Sequence, residues 1–330
     1  MNIAIVSDFN IGGIPTYLMR AINKYTYHKA RCIIAYEDTF AFDEDIILNT
    51  AEAQKEAADW VKQCQFFHFG RGIFNWAGVN WNDILTKENC CIEYYGSELR
   101  GNYPKMVDFH DKTGIAAITG TDWTITGRLP NSFYHLGQYF TKYGEMKDTT
   151  IPYAKKRDYK ENFKIATSSA GSPLKGYDIL HQIIEELKAE GVLVEMVSIS
   201  GVSNHEVLKR KLDCHATFAS LHGGWGISGA ESMFIGHPVL CSLDPWTMSL
   251  YPNNPCVIIN RANLKEKIKW LVDCSEIVFQ SIIISSRIFA IENFNTKTIL
   301  KRYLYLWDLI QNREACLDGG HNPTIIYDQF

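Results

Sequence analysis

Ile3-Ala4-Ile5-Val6-Ser7, followed by Asn10-Ile11-Gly12-Gly13-Ile14-Pro15 and then by Leu18, Ala21, Ile22 and Tyr25, is the stretch from which the fold can be read. The first five residues are a continuous apolar run, as expected of a strand covered on both faces. The glycines mark a tight turn, and apolar residues three and four apart mark a helix. Pro15 suits a first helical turn, where a missing N–H does no harm. Strand, glycine turn and helix together open a parallel α/β sheet. Further buried strands are predicted at Arg31–Tyr36, Cys64–Phe69, Cys90–Tyr95 and Ile115–Thr119.

The polar stretch Lys155–Asn162 reads as an interdomain linker, after which the pattern restarts. Phe163–Thr167 is a strand and Ser168–Gly176 a loop. A helix follows, with Ile179, Leu180, Ile183, Ile184 and Leu187 on one face. Val192–Ser198, Ala216–Ala219 and Val239–Ser242 are strands. Ser203 can cap a helix from Asn204, with Glu206 three residues on. Gly229–Ile235 is a short helix stopped by Gly236 and Pro238, and Thr298–Gln311 is a long one. The expected fold class is α/β, with two facing Rossmann-like domains and a cleft between them. The expected boundaries are 1–155 for an acceptor-side domain, 156–312 for a donor-binding domain and 313–330 for an irregular tail. Ligands of open α/β sheets sit beyond the carboxyl ends of the strands, so both glycine loops are expected to face the cleft.

The 330 residues suit two domains, and the apolar share of 46% suits two cores. A net charge of −4, with no segregation, argues against a polyanionic partner. Lys155-Lys156-Arg157 and Lys209-Arg210-Lys211 read as solvated surface rather than a nucleic-acid patch. The nine cysteines follow no framework or zinc-ligand spacing and read as reduced, mostly buried thiols. The opening MNIAIVSD lacks the regions of a signal peptide, and no segment approaches the ~20 apolar residues that span a bilayer. A cytoplasmic location is the expectation. Ala51–Cys64 is helical in pattern but not basic, and lends no support to membrane association.

Three loops hold the candidate chemistry. Gly12 and Gly13 let N–H groups approach an anion at a helix start, and they equally suit an ordinary βα turn. Lys175, just ahead of a helix after a small-residue loop, is placed to meet a phosphate or to be merely solvated. In Leu221-His222-Gly223-Gly224-Trp225-Gly226-Ile227-Ser228-Gly229-Ala230-Glu231-Ser232-Met233, four glycines leave amides free for a ligand. Glu231 is expected in the first turn of the helix that follows, where the dipole favours a carboxylate. It can there accept hydrogen bonds from two adjacent sugar hydroxyls. His68, at the end of its strand and near Arg71, is a candidate sugar or acceptor contact, or a packed strand-end histidine. Asp8 and Glu98 are strand-end carboxylates able to orient an acceptor hydroxyl.

Ile227–Met233 followed by Gly236-His237-Pro238-Val239-Leu240 resembles the donor-site motif of family 4 glycosyltransferases of the GT-B fold. Ser200–Glu206 with Leu212-Asp213, Lys175-Gly176 and Gly12-Gly13 match further motifs of that family. Tyr95-Gly96-Ser97-Glu98-Leu99-Arg100 resembles another segment seen in some members, which adds Arg100 to the acceptor candidates. The similarity is loose in the N-terminal half and tight around 198–242. It implies a retaining, metal-independent, hexosyltransferase-like enzyme that needs no cofactor and uses a nucleoside-diphosphate sugar, UDP- or GDP-linked. The diphosphate would lie between Gly12-Gly13 and Lys175, with Gly226, Ile227 and Ser228 contributing to donor binding and Glu231 on the ribose. Lys175 and Glu231, together with His68 from its strand-end position, are the expected catalytic set. Two departures stand out: Gly223 occupies the position of the family's second glutamate, and Ser169-Ala170-Gly171 the region of its arginine. His222 or loop amides would then supply the missing sugar contact. The acceptor is a glycan, lipid, small molecule or modified nucleobase. The alternatives are a non-catalytic GT-B scaffold binding nucleotide or glycan, and a glycosyltransferase acting on nucleic-acid bases.

Overall fold

The structure is a computed structural model and describes residues 1–37, 42, 45–95, 97–119, 129, 131–134, 139–168, 175–222 and 224–312; the side chains of 97–101, 134, 246 and 250 lie outside the description. The chain divides into two compact units, Met1–Phe140 with the segment from Thr296, and Thr141–Asn295.

The first unit runs β1 (Asn2–Ser7), α1 (Ile14–Tyr25), β2 (Lys29–Ile34), β3 (Ile46–Ile47), α2 (Ala51–Val61), β4 (Phe66–Gly70), β5 (Cys90–Tyr94), α3 (Ser97–Thr113), β6 (Ala116–Thr119) and β7 (Ser132–Tyr134). Its sheet has the order β3-β2-β1-β4-β5-β6-β7, parallel throughout. Every residue of β4 and β5 is buried, which is why both read as mostly apolar, with His68 and Glu93 as the exceptions. The strand order reverses between β1 and β4, so the loop after β1, with Gly12 and Gly13, starts at the switch point.

The second unit runs β8 (Phe163–Ser168), α4 (Tyr177–Ala189), β9 (Val194–Ile199), α5 (Asn204–Lys211), β10 (Ala216–Ser220), α6 (Gly226–Phe234), β11 (Val239–Cys241), α7 (Pro245–Leu250), β12 (Val257–Ile258), α8 (Leu264–Asp273) and α9 (Glu276–Phe294). Its parallel sheet has the order β12-β11-β10-β8-β9. The predicted face of α4 is the one that packs: Leu180, Ile183, Ile184 and Leu187 join Ile165, Phe218 and Leu240 in the core. Here the order reverses between β8 and β10, the two strands whose loops carry Lys175 and His222–Trp225.

The polar stretch expected to link the domains is instead docked within the second unit. Arg157 lies over the Tyr159 ring, 3.8 Å from its centroid, and its guanidinium donates to the carbonyls of Leu271, Val272 and Cys274 at the end of α8. Such orphan carbonyls need donors, and a basic side chain supplies them. Buried Arg287 of α9 donates to the carbonyls of Asp148, Ile151, Pro152 and Phe234, fixing residues 148–152 to the same unit. The boundary between units therefore falls at Phe140/Thr141.

After α9 the chain turns extended at Asn295 and continues as α10 (Thr296–Asn312), which belongs to the first unit. The stretch Glu276–Asn312 is, by length and composition, apolar enough to cross a membrane, against the expectation that no segment is. Asn295 divides that stretch into two helices, and a third of its most apolar window is buried. Every described cysteine is a free thiol.

Candidate functional site

In the second unit the site is built where the sheet order reverses. Ser168 ends β8, and its hydroxyl lies 2.7 Å from that of Ser228 in α6. Lys175 stands just before α4, and its carbonyl accepts from the N–H of Leu221 at 3.0 Å, which ties the two loops together. Gly176 is required by this closure: its φ is +78°, and a Cβ there would lie 2.6 Å from Leu221 Cδ1. The Lys175 side chain is half-buried. Burial, and after it the charge of Lys211, pushes its ammonium below the ordinary lysine range.

Glu231 is buried, with 4% of its surface exposed. It sits in the second turn of α6, not the first, because the helix begins at Gly226 rather than at Gly229. Gly226, Ile227 and Ser228 thus form the first helical turn instead of a free loop, and their N–H groups still lack intrahelical acceptors. The Glu231 carboxylate meets Lys211 Nζ at 3.0 Å and accepts from Asn204 Nδ2 at 2.9 Å. Lys211 has no exposed surface, contrary to the expectation of a solvated basic cluster, whereas Lys209 and Arg210 are exposed. His222 is exposed, and its N–H donates to Ser220 Oγ at 2.8 Å. Gly223 and residues 169–174 lie outside the described residues.

Helix starts differ in their capping, and α8 begins at Asn263 with no side-chain cap. Side chains of Thr50, Ser203, Asp244 and Ser275 cap α2, α5, α7 and α9. The helices behind the three glycine-bearing loops, α1, α4 and α6, begin at Gly13, Gly176 and Trp225 with no side-chain cap. No side chain competes for the first N–H groups of these helices at the positive end of each dipole, although the Ile14 N–H of α1 donates to the Ile11 carbonyl. Among the described residues no group of three His, Cys, Asp or Glu is placed to hold a metal ion.

In the first unit, Gly12 (φ +58°) and Gly13 (φ +76°) form the turn into α1. A Cβ on Gly13 would lie 2.6 Å from the Phe42 ring, so packing demands glycine there with or without a ligand. Asp8 and Arg71 approach to 3.3 Å, and both are partly exposed. Glu98 and Arg100 fall in α3, with side chains outside the description.

His68 is not placed as a catalytic residue. It is 1% exposed, and both ring nitrogens are engaged within the first unit. Trp307 Nε1 of α10 donates to Nδ1 at 3.3 Å, so Nε2 carries the proton and donates to Glu93 Oε2 at 2.8 Å. Tyr303 donates to the other oxygen of Glu93 at 2.6 Å. The sequence reading missed Glu93, Tyr303 and Trp307; a lone carboxylate inside an apolar strand was the available signal.

No protein-family model matches the sequence, and no curated protein sequence does either. Solved structures do match. Sucrose-phosphate synthase from Thermosynechococcus elongatus is 12% identical with a TM-score of 0.59, covering 95% of this chain and 100% of its own. Anabaena HepE in complex with UDP and glucose is 13% identical at a TM-score of 0.58, covering 93% and 99%. The Thermobaculum terrenum O-GlcNAc transferase is 10% identical at 0.54, covering 96% and 69%. With its two parallel sheets, the chain has the fold of the GT-B glycosyltransferases.

Proposed function

We propose that this protein transfers a sugar from a nucleoside-diphosphate sugar to an acceptor, with retention and without a metal ion. The observation that carries the reading is the second unit's switch point. There a half-buried lysine and a buried glutamate stand beside helices that start without side-chain caps. HepE, crystallised with UDP and glucose, supports a UDP-linked donor. In this reading Glu231 holds the ribose, and Lys175 with the first N–H groups of α4 and α6 holds the diphosphate. Charge grows on the diphosphate as the glycosidic bond breaks, so donors fixed there in advance lower the barrier. Among the described residues of the site none stands out as a carboxylate nucleophile, and a covalent glycosyl intermediate is not part of the proposal.

A thermal-shift screen of nucleoside diphosphates and their sugars tests the reading. A ligand at about 100 times its dissociation constant adds ~2.7 kcal/mol. Stabilisation by UDP or GDP and their sugars is expected, and a chain indifferent to all of them sinks the proposal. A second reading, binding without turnover, is favoured by Gly223 at the position of the family's second glutamate. Slow release of free sugar from the stabilising donor, absent acceptor, removes it.

A further inference from the structure

Lys211 belongs by sequence to a run of three basic residues, yet it alone points inward. Its spacing from Val207 and Leu208 places it on the buried face of α5. An ammonium without exposed surface is costly to hold unless each of its hydrogens finds an acceptor. All three do: the Ser228 carbonyl at 3.0 Å, Ser228 Oγ at 3.1 Å and Glu231 Oε2 at 3.0 Å. Asn204, at the other end of the same helix, donates to Glu231 Oε1 at 2.9 Å. The carboxylate therefore carries one donor on each oxygen. A carboxylate has about four acceptor positions, so one remains on each side.

We propose that Lys211, assisted by Asn204, is a positioning residue that presents Glu231 as a two-point acceptor for a vicinal diol, making the site selective for ribose over its deoxy forms. The inference rests on the reading of Glu231 as the ribose-binding group. Without Lys211 the carboxylate is free to rotate, and a mobile acceptor loses much of the advantage of gripping two hydroxyls at once. A tether that served only to join α5 to α6 would affect the binding of every nucleotide alike; a positioning role affects only those with the diol.

The test is calorimetric titration of the full chain with UDP and with 2′,3′-dideoxy-UDP. Wild-type protein is expected to prefer UDP by roughly 10- to 100-fold, the range of hydrogen bonds to a charged group. In Lys211→Met that ratio is expected to collapse towards one. A folded Lys211→Met that keeps the wild-type ratio overturns the proposal, as does one that weakens both nucleotides equally. If Lys211→Met does not fold, Asn204→Ala replaces it, because Asn204 is only half-buried. This variant is expected to lower the ratio several-fold, and an unchanged ratio overturns the proposal. A wild-type protein that binds neither nucleotide, or both equally, defeats the underlying donor reading instead.

Discussion

Each unit buries one carboxylate in a polar cluster, and the two clusters are finished differently. Glu93 in the first unit meets the imidazole of His68 and the hydroxyl of Tyr303, while Trp307 closes the other side of the histidine. All four side chains are at most 1% exposed. Tyr95 donates to Glu93 as well, at 3.3 Å, so Glu93 has three donors, whereas Glu231 in the second unit has two and sits in a helix whose start no side chain caps. A buried charge by itself therefore does not mark a site. What distinguishes the second cluster is the hydrogen-bonding capacity left around it, which a ligand can use.

The comparison can be broken most forcefully at Glu93. Glu93→Ala leaves the buried donors of His68 and Tyr303 without an acceptor and is expected to cost ~1–3 kcal/mol of stability for each. Chemical denaturation measures the loss, and the nucleotide affinity of the remaining folded protein is expected to be unchanged. A Glu93→Ala protein of wild-type stability would show that the first cluster is not structural.

Lys175→Ala is expected to do the opposite. Because burial and Lys211 lower the folded-state pKa of Lys175, charging it at neutral pH opposes folding, and the penalty lifts only as pH rises past that lowered pKa. Removing the side chain is thus expected to leave the melting temperature unchanged or raised while turnover drops by ~10²-fold. Steady-state kinetics with any donor found in the screen, paired with thermal melts, decides. Loss of stability without loss of turnover would reverse its assignment.

Glu231→Gln sharpens the comparison more gently, since glutamine still offers Lys211 an acceptor. The donor Michaelis constant is expected to rise by the equivalent of ~1.5–3 kcal/mol, with turnover much less affected. Turnover abolished at unchanged donor affinity would move Glu231 into the chemical step. The smallest effect is in pH. A bound diphosphate favours the charged lysine, so binding takes up a proton between the lowered pKa of free Lys175 and the ordinary value of ~10.4. Nucleoside-diphosphate affinity is expected to fall a few-fold as pH rises into that window and to lose this component in Lys175→Ala; identical profiles in both proteins would exclude Lys175 as the phosphate partner.

Much of this was readable from local sequence, for physical reasons that also set the limit. Strands β1, β4, β5 and β10 are buried on both faces and show as largely apolar runs, interrupted by His68 in β4, Glu93 in β5 and Thr217 in β10. The edge strands Ile46–Ile47 and Val257–Ile258 are two residues long, too short for any period to show. Helix α9, with its apolar residues spread around the axis, presents no face to recognise. At the site, Lys175 and Glu231 stood out through motif and spacing. Lys211 was equally legible, three and four residues past Leu208 and Val207, but its basic neighbours suggested a solvated run. Trp307 carried no such sign, because its partner His68 lies 239 residues earlier and only folding brings them together.

The return of α10 to the first unit orders the birth of the molecule. Synthesis is vectorial, and domains generally fold as units while the chain emerges at ~5–20 residues per second. The N-terminal sheet appears first, but Tyr303 and Trp307, which complete the surroundings of Glu93 and His68, emerge only after the whole of Thr141–Asn295. That is a wait on the order of ten seconds or more, during which the second unit, uninterrupted in sequence, already has all its parts. The later-made half can thus mature ahead of the earlier one, whose seam for α10 stays open in the interval.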